Sequence, residues 1–245
     1  MKATFTKATF LFATFGCFAQ GAQILVNGGF ETGNFTGWSV VNAAGSFPGS
    51  NFFVSSTTTL PQSGDSTVGP ASGSFYAVSD QSGSGVHALI QSFTIPAPAS
   101  SVILTFRMFV NSYGGNFVNP IGLDFTDGAN QHARVDILSA GASAFTTGVG
   151  VLRNLYLGTD AGTNPHSYTS YSFDLTSLLG ASGSYQLRFA EVDNQLFLNQ
   201  GVDNVALDVT PLSGVPEPSC SVGVAFGLVG LGVLRVRRPR SPAVR

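Results

Sequence analysis

The sequence predicts an all-β domain with jelly-roll β-sandwich architecture, flanked by an N-terminal signal peptide and a C-terminal transmembrane helix. Many short segments rich in β-branched and aromatic residues are separated by Gly, Asn, Asp and Ser, a pattern typical of short strands joined by turns. Helical periodicity is scarce between residues 23 and 212, and a chain of many short strands favours a sandwich or jelly roll. An apolar segment without acidic residues lies near each end of the chain.

Residues 1–22 have the pattern of a secretory signal peptide. Lys2 and Lys7 are the only lysines in the protein, and an apolar run at 10–19 and small residues follow them. The run is too short to span a membrane and has the flanks of a signal peptide. Cleavage is expected after Ala19 or Ala22, which implies export through the Sec translocon. Cys17 leaves a lipoprotein interpretation open, although the residue three positions earlier is not leucine.

The segment 23–212 is long enough to form one domain with its own core. Its apolar and β-branched runs predict strands at 24–26, 52–55, 74–78, 88–95, 102–110, 121–125, 133–138, 152–157, 168–175, 185–190 and 202–209. In the last of these, Val205, Leu207 and Val209 alternate with Asn204, Ala206 and Asp208, which is typical of a strand with one buried face.

Turns and one short helix complete the prediction for this segment. Asp127-Gly128 and Gly114-Gly115 are turn sequences. Residues 175–179 predict a single helical turn capped by Asp174. The stretch 46–73 is weakly patterned and rich in Ser, Thr and Gly, and a loop of this length in a compact domain usually has a function.

The charge of the exported part is strongly acidic. Four arginines and twelve acidic residues lie between residues 23 and 214, which gives a net charge of −8, against −2 for the whole chain. This charge argues against nucleic acid or an anionic membrane surface as a partner, and is compatible with calcium and with neutral glycans. The two cysteines, Cys17 and Cys220, lie in the terminal segments, so the exported domain uses no disulfide.

A glycine-rich motif at 27–38, Asn-Gly-Gly-Phe-Glu-Thr-Gly-Asn-Phe-Thr-Gly-Trp, is the most informative part of the domain. Phe30 and Trp38 are expected to anchor the core, and the glycines permit tight turns. The motif resembles the opening of galactose-binding-like jelly rolls, especially the carbohydrate-binding modules of families four and nine. The stretch 201–205, Gly-Val-Asp-Asn-Val, is similar to the way such domains end. This resemblance implies that the first and last strands are neighbours.

The same resemblance implies a structural calcium ion held by Glu31 and Asp203 together with backbone carbonyls. Calcium takes six to eight oxygen ligands, which carboxylates and a glycine-rich backbone can supply. The alternative is that Glu31 accepts backbone N–H groups in a turn while Asp203 caps the strand.

Ligand-binding candidates are aromatic residues in or beside loops, since an aromatic ring can stack on the apolar face of a sugar. These candidates are Tyr113, Phe117, Phe197 and Tyr168. Polar residues of the charged stretch 187–195, namely Glu191, Asp193 and Asn194, are a second group. The alternatives are that the aromatic rings close the ends of the core and that the acidic stretch is a polar loop, with Arg188 paired to an acid inside the sandwich.

No catalytic pattern stands out, and we predict that the protein is not an enzyme. His87, His132 and His166 lack metal-binding spacing, and no Gly-x-Ser-x-Gly motif occurs. Residues 124–130 lack the glutamate that would complete an EF-hand loop, so a hairpin turn is expected there. The alternative is a hydrolase or lyase that acts on a glycan with a pair of carboxylates.

The C-terminal segment combines a linker, an uncharged run and a basic end. The linker at 213–218 contains Val215, Pro216, Glu217 and Pro218. The run at 219–234 has no charge, and as a helix it would be about 24 Å long, shorter than the roughly 30 Å hydrocarbon core. A stop-transfer cluster follows, consisting of Arg235, Arg237, Arg238 and Arg240. A transmembrane helix is therefore predicted at 219–238; a core helix is the alternative, but it would have one polar face.

This tail resembles the PEP-CTERM sorting signal of Gram-negative bacteria over about thirty residues. The resemblance implies anchoring in the inner membrane, recognition by an exosortase, and removal of the tail near Pro216–Pro218. It further implies delivery to the cell envelope or extracellular matrix of exopolysaccharide-producing, biofilm-forming cells. We therefore expect an exported, non-enzymatic protein that associates with exopolysaccharide or another glycan. A purely structural matrix protein remains a further alternative.

Overall fold

Residues 21–119 and 122–212, which this computed structural model describes, form a sandwich of two antiparallel β-sheets. One helix of four residues accompanies the eleven strands that make up the sheets. The strands are β1 Ala22–Gln23, β2 Ser39–Asn42, β3 Asn51–Ser55, β4 Tyr76–Asp80, β5 Gly85–Ile95, β6 Ala99–Ser112, β7 His132–Ser139, β8 Val151–Gly158, β9 Thr169–Asp174, β10 Gly183–Asp193 and β11 Leu198–Pro211, with α1 at Thr176–Leu179.

The first sheet has the strand order β3-β4-β11-β6-β9, with β1 also paired to β11, and the second has the order β2-β5-β10-β7-β8. Chain neighbours are repeatedly placed in opposite sheets, as in a jelly roll. The pairing of β1 with β11 joins Ala22 to Val209 and makes the first and last strands neighbours, as the resemblance implied.

The core lies between the two sheets and is built from alternate residues of the long strands. Leu187 and Phe189 of β10 face Phe106 of β6, with the Phe106 and Phe189 rings 5.2 Å apart at 89°. Trp38 is buried, with its ring 5.6 Å from that of Phe30 and 6.1 Å from that of Phe189. The predicted role of Phe30 and Trp38 as core anchors is therefore confirmed.

Most predicted strands are present but longer than the sequence indicated. The β10 strand runs three residues past 190 to Asp193, and β11 begins at Leu198 rather than at 202. Val205, Leu207 and Val209 do face the core; Val205 lies within a bulge between Asp203 and Ala206, and the other two follow it.

Two strand predictions were wrong and one strand was missed. The strand expected at 24–26 lies at Ala22–Gln23, because the Val26 backbone bonds to the side chains of Gln91 and Trp38 at 2.7 and 3.1 Å. The described part of the strand expected at 121–125, residues 122–125, is a loop. There the Asn130 amide binds the carbonyls of Gly122 and Asp124. The missed strand is β2.

The short helix is confirmed, although its first residue is Thr176. The N-cap position is Leu175, and the Asp174 carboxylate accepts the Thr176 N–H at 2.9 Å. Hydrogen bonds from the Thr176 hydroxyl, first, and from its N–H hold the pKa of Asp174 below its usual value.

Loops cover the outer faces of both sheets. Within 46–73, Leu60 packs on Tyr76, Val78 and Phe109 on the outside of the first sheet. The predicted signal peptide (except its last two residues) and the predicted sorting tail lie outside the described residues. Among the described residues, no helix is long and apolar enough to cross a membrane.

Candidate functional site

A cleft of about 190 Å³ lies at one end of the sandwich, where β10 turns into β11. Two segments line it: the loop 82–84, which precedes β5, and the turn 193–197. Asp193 is the last residue of β10, so the cleft begins where the polar end of this central strand meets the surface.

Buried amide side chains fix the turn 193–197. The Gln131 Oε1 atom accepts the N–H groups of Asn194 and Gln195 at 3.3 and 3.2 Å, and its Nε2 donates to the Leu196 carbonyl at 2.7 Å. Asn194 in turn donates to the Phe125 and Gly128 carbonyls at 3.0 and 2.6 Å. The amide of Asn194, a predicted ligand residue, is thus engaged in holding two loops together.

Three exposed aromatic residues are bonded through their backbone to segments that form or hold the cleft. Phe47, Tyr113 and Phe117 expose 46, 37 and 42% of their surface, and they are the only aromatic residues in the exposed class among the described residues. Phe47 donates its N–H to Ser84 at 3.0 Å, and Tyr113 donates its N–H to Phe197 at 3.0 Å. Phe117 exchanges two backbone hydrogen bonds with Gln131, which holds the turn.

The structure separates the four aromatic candidates. Tyr113 and Phe117 are exposed near the cleft, whereas Phe197 lines it and is half-buried. Tyr168 lies elsewhere, on the outer face of the first sheet, where its ring packs 5.0 Å from that of Phe109 and its hydroxyl donates to Gly69 at 3.0 Å. Tyr168 therefore has the packing role that the sequence offered as an alternative.

Beneath the cleft, β5 and β10 place three ionisable side chains together inside the sandwich. Glu191 is paired in register with His87, and Asp193 with Gly85. One ligand-type atom from each of His87, Glu191 and Asp193 lies within 4.8 Å of the others, and all three residues are buried.

Burial dominates the electrostatics of this cluster. Burial raises the pKa of Asp193 to about 8, although contact with Gln81 opposes the shift. Burial, together with the neighbouring Asp193, also raises the pKa of Glu191 well above its ordinary value. Burial lowers the pKa of His87 to about 4, so this imidazole is neutral at pH 7.

The two predicted calcium ligands, Glu31 and Asp203, lie on either side of Gly29. A Cβ atom placed on Gly29 would lie 3.7 Å from Glu31 Cγ and 3.8 Å from Asp203 Oδ1. Burial raises the pKa of Asp203, and the nearby Glu31 carboxylate raises it further.

Backbone N–H groups occupy both of these carboxylates. Glu31 accepts the N–H groups of Ser74 and Phe75 at 3.0 and 3.1 Å. Asp203 accepts those of Ala71 and Ser72 at 2.8 and 3.1 Å. The pair therefore stabilises the turn at 71–75, which is the alternative role expected for Glu31. Asp203 lies inside β11 instead of capping it, and the calcium interpretation stays a prediction.

Arg188 does pair with an acid, as expected, but on the outer face of the second sheet. Its partner is Asp136, which also bonds Arg134 at 2.7 Å. Burial alone would raise the pKa of Asp136, but the two guanidinium groups outweigh burial and hold it below its usual value. Arg188 also donates to the carbonyls of Ala144 and Thr146, so the network fastens a loop over the sheet.

Sequence reasoning missed Phe47, His87 and Gln131, the residue whose side chain holds the turn 193–197. His87 was set aside because no histidine pair has metal-binding spacing, yet its partner Glu191 lies on a distant strand. Only the pairing of β5 with β10 brings them together. Phe47 lies in the weakly patterned stretch 46–73, whose length indicated a function.

A larger cleft, of about 460 Å³, lies elsewhere on the sandwich and contains no acidic or basic side chain. Its polar lining consists mainly of the hydroxyls of Ser92, Thr94, Ser184 and Tyr185. Thr94 and Ser184 bond one another at 3.0 Å. The aromatic rings of this larger cleft are partly or fully buried. The smaller cleft is therefore the stronger candidate for a ligand-binding site.

No protein-family model and no curated protein matches this chain. Among solved structures, TmCBM61 in complex with β-1,4-galactotriose is 14% identical, with a TM-score of 0.47 over 76% of this chain and 97% of that one. A cyclase from Fischerella sp. is 18% identical, with a TM-score of 0.48 over 80% and 100%. The CBM22-1 xylan-binding domain of a Paenibacillus barcinonensis protein is 12% identical, with a TM-score of 0.43 over 81% and 100%. These similarities concern the arrangement of strands and do not assign a function.

Proposed function

We propose that this chain is an exported, non-enzymatic protein that binds a neutral glycan at the sandwich end that carries Phe47, Tyr113 and Phe117. The observation that carries the proposal is that the three exposed aromatic residues are bonded through their backbone to the segments that form or hold one cleft. Aromatic faces provide apolar contact area at a low cost in side-chain entropy, and neighbouring hydroxyls and amides can bond the hydroxyls of a sugar.

Charge supports a neutral rather than an acidic glycan. The segment 23–214 carries a net charge of −8, and Asp193 lies in the wall of the cleft. An anionic polysaccharide would be repelled by the field of the domain. No arginine lines the cleft to bind a uronic acid or a sulfate group.

The termini supply the cellular setting of the proposal. A signal peptide at 1–22 would direct export through Sec, and the tail from Val215 onward would hold the chain in the inner membrane until an exosortase removes it. The processed protein would then associate with exopolysaccharide in the envelope or matrix. Glu31 and Asp203 would hold a structural calcium ion only if some of the backbone N–H bonds at 71–75 were given up.

One observation favours the alternative of a glycan hydrolase or lyase. Asp193 lines the cleft, and its raised pKa of about 8 would keep it protonated, as a general acid requires. However, the neighbouring Glu191 is fully buried and does not line the cleft, so a second carboxylate has no access to a substrate there. We therefore prefer binding to catalysis.

The test is affinity electrophoresis of the full-length protein in gels containing neutral or acidic polysaccharides. We expect retardation by a neutral polysaccharide, and Phe117→Ala and Tyr113→Ala should each weaken binding roughly 5–10-fold, because each removes about half of a buried aromatic face. Leu152→Ala is the matched control, since Leu152 is 41% exposed and lies at the opposite end of β8 from Gly158, which borders the Phe117 loop.

Two results would contradict the proposal. One is a lack of retardation by every neutral polysaccharide tested. The other is binding that survives both aromatic substitutions unchanged. Sustained release of reducing ends or unsaturated products, abolished by Asp193→Asn, would instead establish the enzymatic alternative.

A further inference from the structure

The cluster beneath the cleft brings together buried hydrogen-bond acceptor atoms that have no partner. Both carboxylate oxygens of Glu191, the Oδ1 atom of Asp193 and the Nε2 atom of His87 are buried and have no hydrogen-bond partner. Buried polar atoms are almost always paired, so four unpaired acceptors in one place require an explanation. A cation bound between these atoms would satisfy them, and bound protons are the alternative.

The protonation state of His87 makes the Nε2 lone pair available. Its Nδ1 atom lies 2.8 Å from the Asn42 Oδ1 atom, and an amide oxygen can only accept. Nδ1 therefore carries the proton, and Nε2 presents a lone pair toward the carboxylates. A side-chain oxygen that fixes the tautomer in this way is the usual second partner of a metal-binding histidine.

Two bound protons would not pair every acceptor at this site. Each O–H group satisfies its own oxygen and one acceptor, so two protons pair four atoms, whereas the Gln81 Oε1 atom brings the number of unpaired acceptors to five. A divalent cation would satisfy one atom from each side chain at once and would neutralise the two carboxylates. Its binding would also remove the desolvation cost that raises both carboxyl pKa values.

A fourth side chain lies against the same group. Gln81 is fully buried, donates its Nε2 to the Leu198 carbonyl, and contacts the Asp193 carboxylate closely enough to lower its pKa. The Gln81 Oε1 atom has no partner. This uncharged oxygen is a further possible metal ligand beside the two carboxylates.

The mixture of donors selects the class of ion. The imidazole nitrogen and the carboxylate oxygens are both ligands of Zn²⁺, which takes about four ligands at roughly 2.0–2.2 Å. A given site usually binds Zn²⁺ more tightly than Mn²⁺. Calcium takes six to eight oxygens and is a poor match for an imidazole. We propose that His87, Glu191 and Asp193, with Gln81, bind a divalent transition-metal ion, for which Zn²⁺ is the best match.

The surroundings provide both space and access for such an ion. Gly85 lies opposite Asp193 in the sheet, and a Cβ atom there would lie 2.7 Å from His87 Nε2, so glycine keeps this space open. Asp193 also lines the surface cleft, which gives an entry path. A bound ion would tie β5, β10 and the residue after β4 together at the floor of the cleft, whether or not that cleft binds a glycan.

The test uses full-length protein without a polyhistidine tag, stripped with a chelator and then incubated with Zn²⁺, Mn²⁺ or Ca²⁺. Metal content is measured by mass spectrometry after gel filtration, and Tm is measured in parallel. We expect one equivalent of Zn²⁺, and a Tm about 5–10 °C higher at a hundredfold excess of Zn²⁺ over its Kd. Mn²⁺ should bind less tightly, and Ca²⁺ should not raise Tm through this site.

Two isosteric variants separate this site from the other acidic pair. Glu191→Gln should weaken Zn²⁺ binding at least 100-fold and still fold, since it removes one of two buried like charges. Glu31→Gln is the matched control and should keep Zn²⁺ binding. In Co²⁺-loaded protein, His87→Gln should change the visible absorption bands that report the metal's ligands.

Three results would overturn the proposal. The first is wild-type protein that retains no transition metal after gel filtration. The second is equal Zn²⁺ binding by wild type and Glu191→Gln, which would indicate adventitious sites on the surface. The third is a Tm that responds to Ca²⁺ but not to Zn²⁺ and loses that response in Glu191→Gln.

Discussion

Gly28 and Gly29 are adjacent in the motif at 27–38, yet they should differ sharply in their tolerance of a methyl group. A Cβ atom on Gly28 would lie 1.8 Å from the Val205 carbonyl oxygen and 2.8 Å from its carbon, so β11 would have to move. The Gly28 carbonyl also accepts the Val205 N–H at 2.9 Å. At Gly29, the nearest atom would be at 3.7 Å, an ordinary van der Waals distance.

The magnitude follows from these two contacts. Forcing a methyl group against backbone costs about 1–3 kcal/mol, and losing the hydrogen bond costs about 1 kcal/mol. Gly28→Ala should therefore lower the free energy of unfolding by about 2–4 kcal/mol. At about 2–4 °C per kcal/mol for a domain of this size, Tm should fall by roughly 4–16 °C. Gly29→Ala should change the free energy of unfolding by less than about 0.5 kcal/mol.

The assay is thermal unfolding of the full-length protein followed by circular dichroism, with urea unfolding to obtain the free energy. Equal Tm values for the two variants would refute the reasoning. They would mean that the motif does not press against β11 at Gly28, and the placement of Glu31 beside Asp203 would then also be in doubt.

Three further predictions concern other parts of the chain. Asp136→Asn should lower the free energy of unfolding, measured in urea, by about 3–5 kcal/mol, because it leaves two buried guanidinium groups without a counter-charge. The control Asp208→Asn, at an exposed position, should be nearly neutral, and equal losses in the two variants would count against the network. Burial lowers the pKa of His132 from 6.5 to about 4, so the unfolded chain binds a proton that the folded chain does not between these values. Stability should then fall as pH drops from 6.5 to 4, by roughly 3 kcal/mol for this residue, and an undiminished pH dependence in His132→Gln would be inconsistent with this. For the tail, Glu217→Ala should leave the chain uncleaved in the inner membrane, as judged by mass spectrometry; normal release would show that the resemblance to the sorting signal does not extend to processing.

Much of the strand content could be predicted because it depends on local pattern. The alternation of Val205, Leu207 and Val209 is a property of the chain itself, and these residues do face the core. No strand forms over residues 122–125, because the Asn130 side chain, six to eight residues further along the chain, binds the carbonyls of Gly122 and Asp124. The four-residue β2 was missed because a strand this short has little pattern of its own.

The candidate site could be predicted only in part. Aromatic residues in loops are visible in the sequence, and Tyr113 and Phe117 were chosen for this reason. Their grouping with Phe47 depends on which loops meet at one end of the sandwich, and strand pairing decides that.

The sequence by itself determined the all-β class, the core anchors Phe30 and Trp38, the acidic charge of the domain and the expectation of export and sorting. These features depend on composition, on spacing along the chain and on motifs that are continuous in sequence. Only the tertiary structure decided which acids share a site. It placed Glu31 and Asp203 around one turn, and it placed Glu191 and Asp193 beside His87 because antiparallel pairing joins residues about a hundred positions apart.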